Sequence, residues 1–253
     1  MSKLTKTYDS SSVLGVRYHV IDKDDLVNEI TQAAIKRQSL GVMNVNIHAL
    51  NLAQSHQTLK TALNHSALVF IDGFGAKLGI QILKRPAGQR LTPADWIDAL
   101  LEQCVANDLP LFLIGDEAPF GDNFKAAVLK KYPDLKFAGW YTGFFNADNE
   151  ENQNAVEAIN ASDAAVVLVG MSMPRQEIWI HNNLDALNGK VCIATGALHR
   201  VFSGDIPRGP AWVTDNGFEW LYRMCMQPHT WRRYILGNPL FLMRVLKEKV
   251  FGG

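Results

Sequence analysis

The chain has three cysteines, Cys104, Cys192 and Cys225. Their odd number and the lack of C-x-x-C spacing argue against both a disulfide framework and a thiolate zinc site, so a reducing cytoplasm is expected. Long apolar runs are also missing. ALVFI and AAVVLVG are the longest, far short of the roughly 20 residues that cross a bilayer. The N-terminal MSKLTKTYDSSS carries no apolar export core, so any contact with a membrane is expected to be peripheral. The formal net charge is zero, which gives a nucleic-acid partner no general electrostatic support. No Asp-x-Asp pair suited to Mg²⁺ and a sugar diphosphate occurs, and no His/Cys cluster has metal spacing. Chemistry without metal or cofactor is the expectation.

Against these absences stands an ordinary globular composition, 47% hydrophobic and 20% charged over 253 residues, enough for one large core. Apolar runs rich in branched residues, VLGVRYHV, LGVMNVN, ALVFID, PLFLIG, LKFAGW, AAVVLVG and KVCIAT, alternate with longer amphipathic stretches. The runs read as strands buried on both faces, and the pattern as repeated β-α units. The fold class that follows is α/β, a doubly wound, mostly parallel, Rossmann-like sheet with right-handed crossovers. Asp22 to Asp25 resembles a capping box, Thr92-Pro93 marks another helix start, and Pro174 suits a first turn. Past residue 196 the rhythm stops. Residues 1–199 are expected to form the catalytic domain, and residues 200–253 a helical appendage of two or three helices separated by Pro210, Pro228 and Pro239. That tail carries eight Lys/Arg against four Asp/Glu, a balance that suits an anionic membrane surface or an ordinary solvated face.

In such sheets ligands bind beyond the carboxyl ends of the strands. Asp72, at the end of ALVFI and followed by Gly73, can take a proton from an attacking hydroxyl or cap the next helix. Asn44 and Asn46, ending LGVMNVN, can hydrogen-bond sugar hydroxyls, with an N-cap role open to Asn46 and a surface role to His48. Arg90 can reach a phosphate from its Gly/Pro-flanked loop, and Asp95 suits the cap of its own helix while remaining a candidate at the same site. Gln176 lies at a helix N-terminus past a buried strand, a place suited to an anionic or polar ligand. In the tail, Arg223 with Arg232 and Arg233 can neutralise a leaving diphosphate. Trp231, Tyr234 and Ile235 recur at i, i+3 and i+4, as on an interfacial helix or an inward-packed one.

An ordered set of motifs resembles the WecG/TagA/CpsF glycosyltransferases, family 26: N-x-H-x-L-N-x-A from Asn46, I-D-G from Ile71, R-x-T-x-x-D from Arg90, G-x-x-x-P-R-Q-E-x-W from Gly170, and E-W-L-Y-R…P…R-R-Y from Glu219. The resemblance covers nearly the whole chain. It implies inverting transfer of a sugar, N-acetylmannosamine, its uronic acid or another hexose, from a UDP-sugar donor to a polyprenyl-diphosphate-linked saccharide acceptor on the cytoplasmic leaflet. By the same resemblance Asp72 is the base, Arg90 and Gln176 belong to the substrate site, and Arg223 and Arg233 are tail arginines. Asn44 stands where the family often has Thr, Thr230 where a tail Arg is common, and Arg200 where Asp is usual, which bears on donor and acceptor preference. A nicotinamide oxidoreductase is the alternative from fold alone, but no G-x-G-x-x-G follows the first strand. A non-catalytic partner-binding module is the third reading.

Overall fold

The protein is described by a computed structural model that covers residues 4–146, 150–215, 219–226 and 230–251. The chain opens with a hairpin, β1 (Ser10–Val13) and β2 (Val16–His19), and then alternates α1 (Lys23–Ile35), β3 (Leu40–Val45), α2 (Ile47–Leu52), α3 (Gln57–His65), β4 (Leu68–Ile71), α4 (Phe74–Ile82) and α5 (Pro93–Ala106). The second half runs β5 (Leu111–Ile114), α6 (Phe120–Lys131), β6 (Phe137–Tyr141), α7 (Glu150–Ala161), β7 (Val166–Val169), α8 (Arg175–Asn183), β8 (Val191–Ala194) and α9 (Leu198–Ser203). Four helices follow: α10 (Ala211–Asp215), α11 (Glu219–Met226), α12 (Trp231–Ile235) and α13 (Gly237–Phe251).

Six strands pair in the order β4-β3-β8-β7-β5-β6, and every pairing is parallel. The sheet is therefore the expected doubly wound one. Strands β3, β4, β5, β7 and β8 are buried along their whole length, which is why they read as continuous apolar runs. One core face gathers side chains of α2, α3, α4, α7, α8 and α13. The other gathers those of α1, α5, α6 and α9.

Two of the seven runs behave differently from expectation. VLGVRYHV is not one strand of the main sheet but part of the separate antiparallel hairpin, because Leu14 and Gly15 both take positive φ, 52° and 71°, as a tight two-residue turn requires. LKFAGW supplies β6, an edge strand half-buried at every position. Pro239 does not separate helices: it lies in the first turn of α13, where a missing N–H costs nothing.

Helix starts follow the capping signals. The Asp22 side chain accepts from Asp25 N–H at 2.8 Å, and the Asp95 carboxylate accepts from Thr92 N–H at 3.1 Å. Pro174, expected in a first turn, falls one residue earlier, at the N-cap of α8.

Helix α13 is built into the core. Phe241 and Val245, one turn apart, are buried, with Phe241 lying over Gly79 of α4 so closely that a Cβ there would come within 2.4 Å of its Cζ. Polar ties hold the same helix: Asn51 Nδ2 donates to Gly237 O at 2.7 Å, Arg244 Nη1 to Asn51 Oδ1 at 2.8 Å, and Leu14 N–H to Glu248 Oε2 at 2.7 Å. Glu248 also pairs with Arg85.

Candidate active site

The carboxyl ends of β3 and β4 open into a cavity of about 630 Å³, and helices of the tail form its far wall. Asp72 stands at the first position after β4, where its N–H still donates to Val45 O at 2.9 Å as the last rung of the sheet. Gly73 follows with φ 85°, a backbone that disfavours any side chain and turns the chain directly into α4. Asn46 is the N-cap of α2, its Oδ1 accepting from Ala49 N–H at 3.0 Å. Its Nδ2 donates to Asp72 Oδ2 at 3.2 Å. Capping thus fixes the Asn46 amide, and the amide in turn fixes the carboxylate.

Arg90 and Arg233 line the same cavity from the loop before α5 and from α12. Arg90 pairs with Asp95 at 3.5 Å, and Asp95 also pairs with Arg208, so Asp95 aligns cations and caps α5 without lining the cavity. His48 borders this cavity and a smaller one of about 300 Å³, which Arg233 shares and to which Arg232 and Arg244 contribute. Burial, reinforced by Arg233, pushes the His48 pKa down to about 4. The imidazole is therefore neutral at neutral pH, and the arginine carries the charge at that junction.

The remaining candidates lie elsewhere. Asn44 is 2% exposed and donates to Ala194 O at 3.0 Å, bridging β3 to β8. Gln176, also 2% exposed, accepts from Gly196 N–H at 3.0 Å and donates to Glu177 Oε1 at 2.7 Å. Neither lines the larger cavity. Arg223 falls in α11, and its side chain lies outside the described residues. Arg232 is exposed and stacks over Trp231, 5.4 Å from the ring centroid.

A second polar cluster sits at the ends of β5 and β8. Asp116, the second residue after β5, receives a bond from Arg200 on both carboxylate oxygens and lies 2.8 Å from His199 Nε2. The Arg200 guanidinium rests 3.6 Å from the centroid of the Phe120 ring. Burial raises the Asp116 pKa, but bonds from Arg200 and His199 outweigh it and hold the carboxyl below its usual range. Nearby, burial drives the Glu177 carboxyl up to about 7. Glu177 Oε2, Asn44 Oδ1 and His199 Nδ1 are buried without hydrogen-bond partners. Asp116 was open to the same reasoning that singled out Asp72, since it too follows an apolar run, in PLFLIGD.

Such an arrangement can do acid–base chemistry on a polyol: a carboxylate oriented at a strand end, arginines converging from a loop and from the tail, and a cavity wide enough for a sugar. Among the described residues no set of three His, Cys, Asp or Glu side chains gathers to hold a metal ion.

Two relatives from Staphylococcus aureus, strains MRSA252 and MW2, are each 26% identical to this chain over 213 residues, covering 83% of it and 81% of their own length. Each is an N-acetylglucosaminyldiphosphoundecaprenol N-acetyl-beta-D-mannosaminyltransferase. The glycosyl transferase WecG/TagA/CpsF family model matches residues 11–253. With nearly the whole chain matched, from the hairpin through α13, the chain belongs to the WecG/TagA/CpsF family of glycosyl transferases.

Proposed function

We propose that the protein transfers a sugar, with N-acetylmannosamine the first candidate, from a UDP-sugar to a saccharide carried on a polyprenyl diphosphate, with inversion and without a metal. N-acetylglucosaminyl-diphosphoundecaprenol, named for the relatives, is the first acceptor to test. The observation that carries this reading is the Asp72 carboxylate, held by Asn46 at a strand end, in a cavity that also takes Arg90 and Arg233. Asp72 removes the proton of the acceptor hydroxyl as that oxygen attacks C1 of the donor sugar, and the C1–O bond to the UDP breaks on the opposite face. Both substrates carry a diphosphate. Arg90 from the loop and Arg223, Arg232 and Arg233 from the tail supply the cations. Gln176 and Asn44 act from behind the site, tying the start of α8 and the end of β3 to the end of β8.

Residues 1–199 form the catalytic unit in this reading, and residues 200–253 complete the site and dock it on the cytoplasmic face of a membrane. Among the described residues no helix is long and apolar enough to cross one. Exposed Trp212, Trp231, Leu236 and Met243, interspersed with arginines, suit an interfacial surface.

The test is a panel of UDP-sugars, UDP-N-acetylmannosamine first, against a short-chain polyprenyl-diphosphate N-acetylglucosamine, run with and without chelator. Transfer that survives chelator is expected. Turnover abolished by chelator and restored by Mn²⁺ or Mg²⁺ would remove metal independence, and no transfer from any UDP-sugar would remove the donor class.

A further inference from the structure

Helix α4 begins beside Asp72 and leads away from it along the cavity. Phe74, Leu78 and Ile82 recur on it at four-residue spacing and all line that cavity, so they form one stripe with Leu78 about 6 Å and Ile82 about 12 Å beyond Phe74. The far side is apolar too, through Trp220 and Leu242. Leu78 and Leu242 remain 45% and 43% exposed. Two leucines turned into a shared cavity, at the end away from the carboxylate, suit an apolar guest.

We infer that the wall formed by Leu78, Ile82 and Leu242 seats the first isoprene units of the acceptor's lipid, with Arg233 at the diphosphate between lipid and sugar. This rests on the acceptor class proposed above. Such an acceptor has a fixed order: sugar, diphosphate, isoprenoid. The cavity presents a carboxylate, a cation and an apolar wall, one for each part of that acceptor. His48, neutral at neutral pH, adds no like charge beside Arg233 at the cavity edge. Seating the lipid start in the cavity fixes how far the sugar stands from the bilayer, so the reacting hydroxyl reaches Asp72 in one register.

The experiment compares N-acetylglucosaminyl-diphosphate acceptors carrying an ethyl or a farnesyl group, with the full chain, below micellar concentration and without vesicles. Each methylene transferred from water is worth about fourfold. The farnesyl acceptor should therefore exceed the ethyl acceptor in kcat/KM by roughly 10- to 100-fold, and the Leu78→Ser/Leu242→Ser variant should cut that ratio by about 10-fold. Leu78→Met should keep it. A wild-type ratio near one, or a ratio untouched in the double variant, overturns the inference and leaves the wall to acyl chains or to a second copy. Calorimetry with farnesyl diphosphate against ethyl diphosphate reads the same wall without any transfer. A farnesyl preference with no transfer overturns the proposed reaction but keeps the lipid seat; transfer with no farnesyl preference does the reverse.

Discussion

In the proposed reaction Asp72 is the base, and its neighbours make a clean substitution possible. Asp72→Asn retains a side-chain oxygen to accept from Asn46 Nδ2 but cannot take a proton. Positioned proton transfer contributes about 10²–10⁴-fold, so kcat should fall by that factor while UDP binding, read by calorimetry, changes little. Near-normal turnover would remove Asp72 from the role of base. Glu177 offers a different readout. Its pKa, raised by burial from 4.5 to about 7, means that the fold binds the proton more tightly than the unfolded chain does. The stabilising effect of that proton is fully present below about pH 4.5 and is lost as pH rises through about 7. Glu177→Gln removes the ionisation, so its gain in unfolding midpoint relative to the wild type should be larger at pH 8 than at pH 5. An equal shift at both values would show that the carboxyl does not titrate in the fold.

At the scale of elements, the parallel sheet was legible because five of its strands are buried on both faces and say so in their composition. The hairpin was not. Leu14-Gly15 is a turn set inside an apolar run, and hydropathy is silent about φ, although the glycine was the available clue. Edge position was hidden as well, since LKFAGW differs from a central strand in its neighbours rather than in its residues. Of the site, Asn46, Asp72, Arg90 and Arg233 were readable from strand ends and motifs, and the structure brings all four to one cavity. The burial of Asn44 and Gln176 was not readable, because a polar residue after a strand looks the same whether it meets a ligand or a neighbouring backbone. Nor was the depth at which α13 packs. That packing predicts that Phe241→Ala costs about 3–5 kcal/mol in denaturant unfolding. Gly79→Ala, which forces α13 outward, should cost about 1–3 kcal/mol and raise KM for the lipid-linked acceptor. Wild-type unfolding in both would mean that α13 adds little to the core.

For the molecule as a whole, overall neutrality conceals a division of charge, with a net excess of Lys/Arg after residue 200 balanced by an acidic excess before it. A uniform distribution would give an anionic membrane no preferred face to bind. With this one, the docking proposed above would draw the tail to an anionic surface and hold the acidic remainder off it. Exposed Trp231 and Arg232 sit together on α12 and are the place to test it. A cation near an anionic leaflet is worth about 1 kcal/mol, so Arg232→Gln should weaken binding to phosphatidylglycerol vesicles roughly fivefold at low salt. Because an exposed charge is screened within about 10 Å at 0.1 M salt and about 3 Å at 1 M, that difference should shrink as salt is raised. Trp231→Ala should weaken binding at both ionic strengths, since its contribution is apolar. Co-sedimentation across a salt series measures both. Equal binding to neutral and anionic vesicles would detach the charge asymmetry from membrane docking, and no binding to either would return the tail's aromatics to a purely structural role.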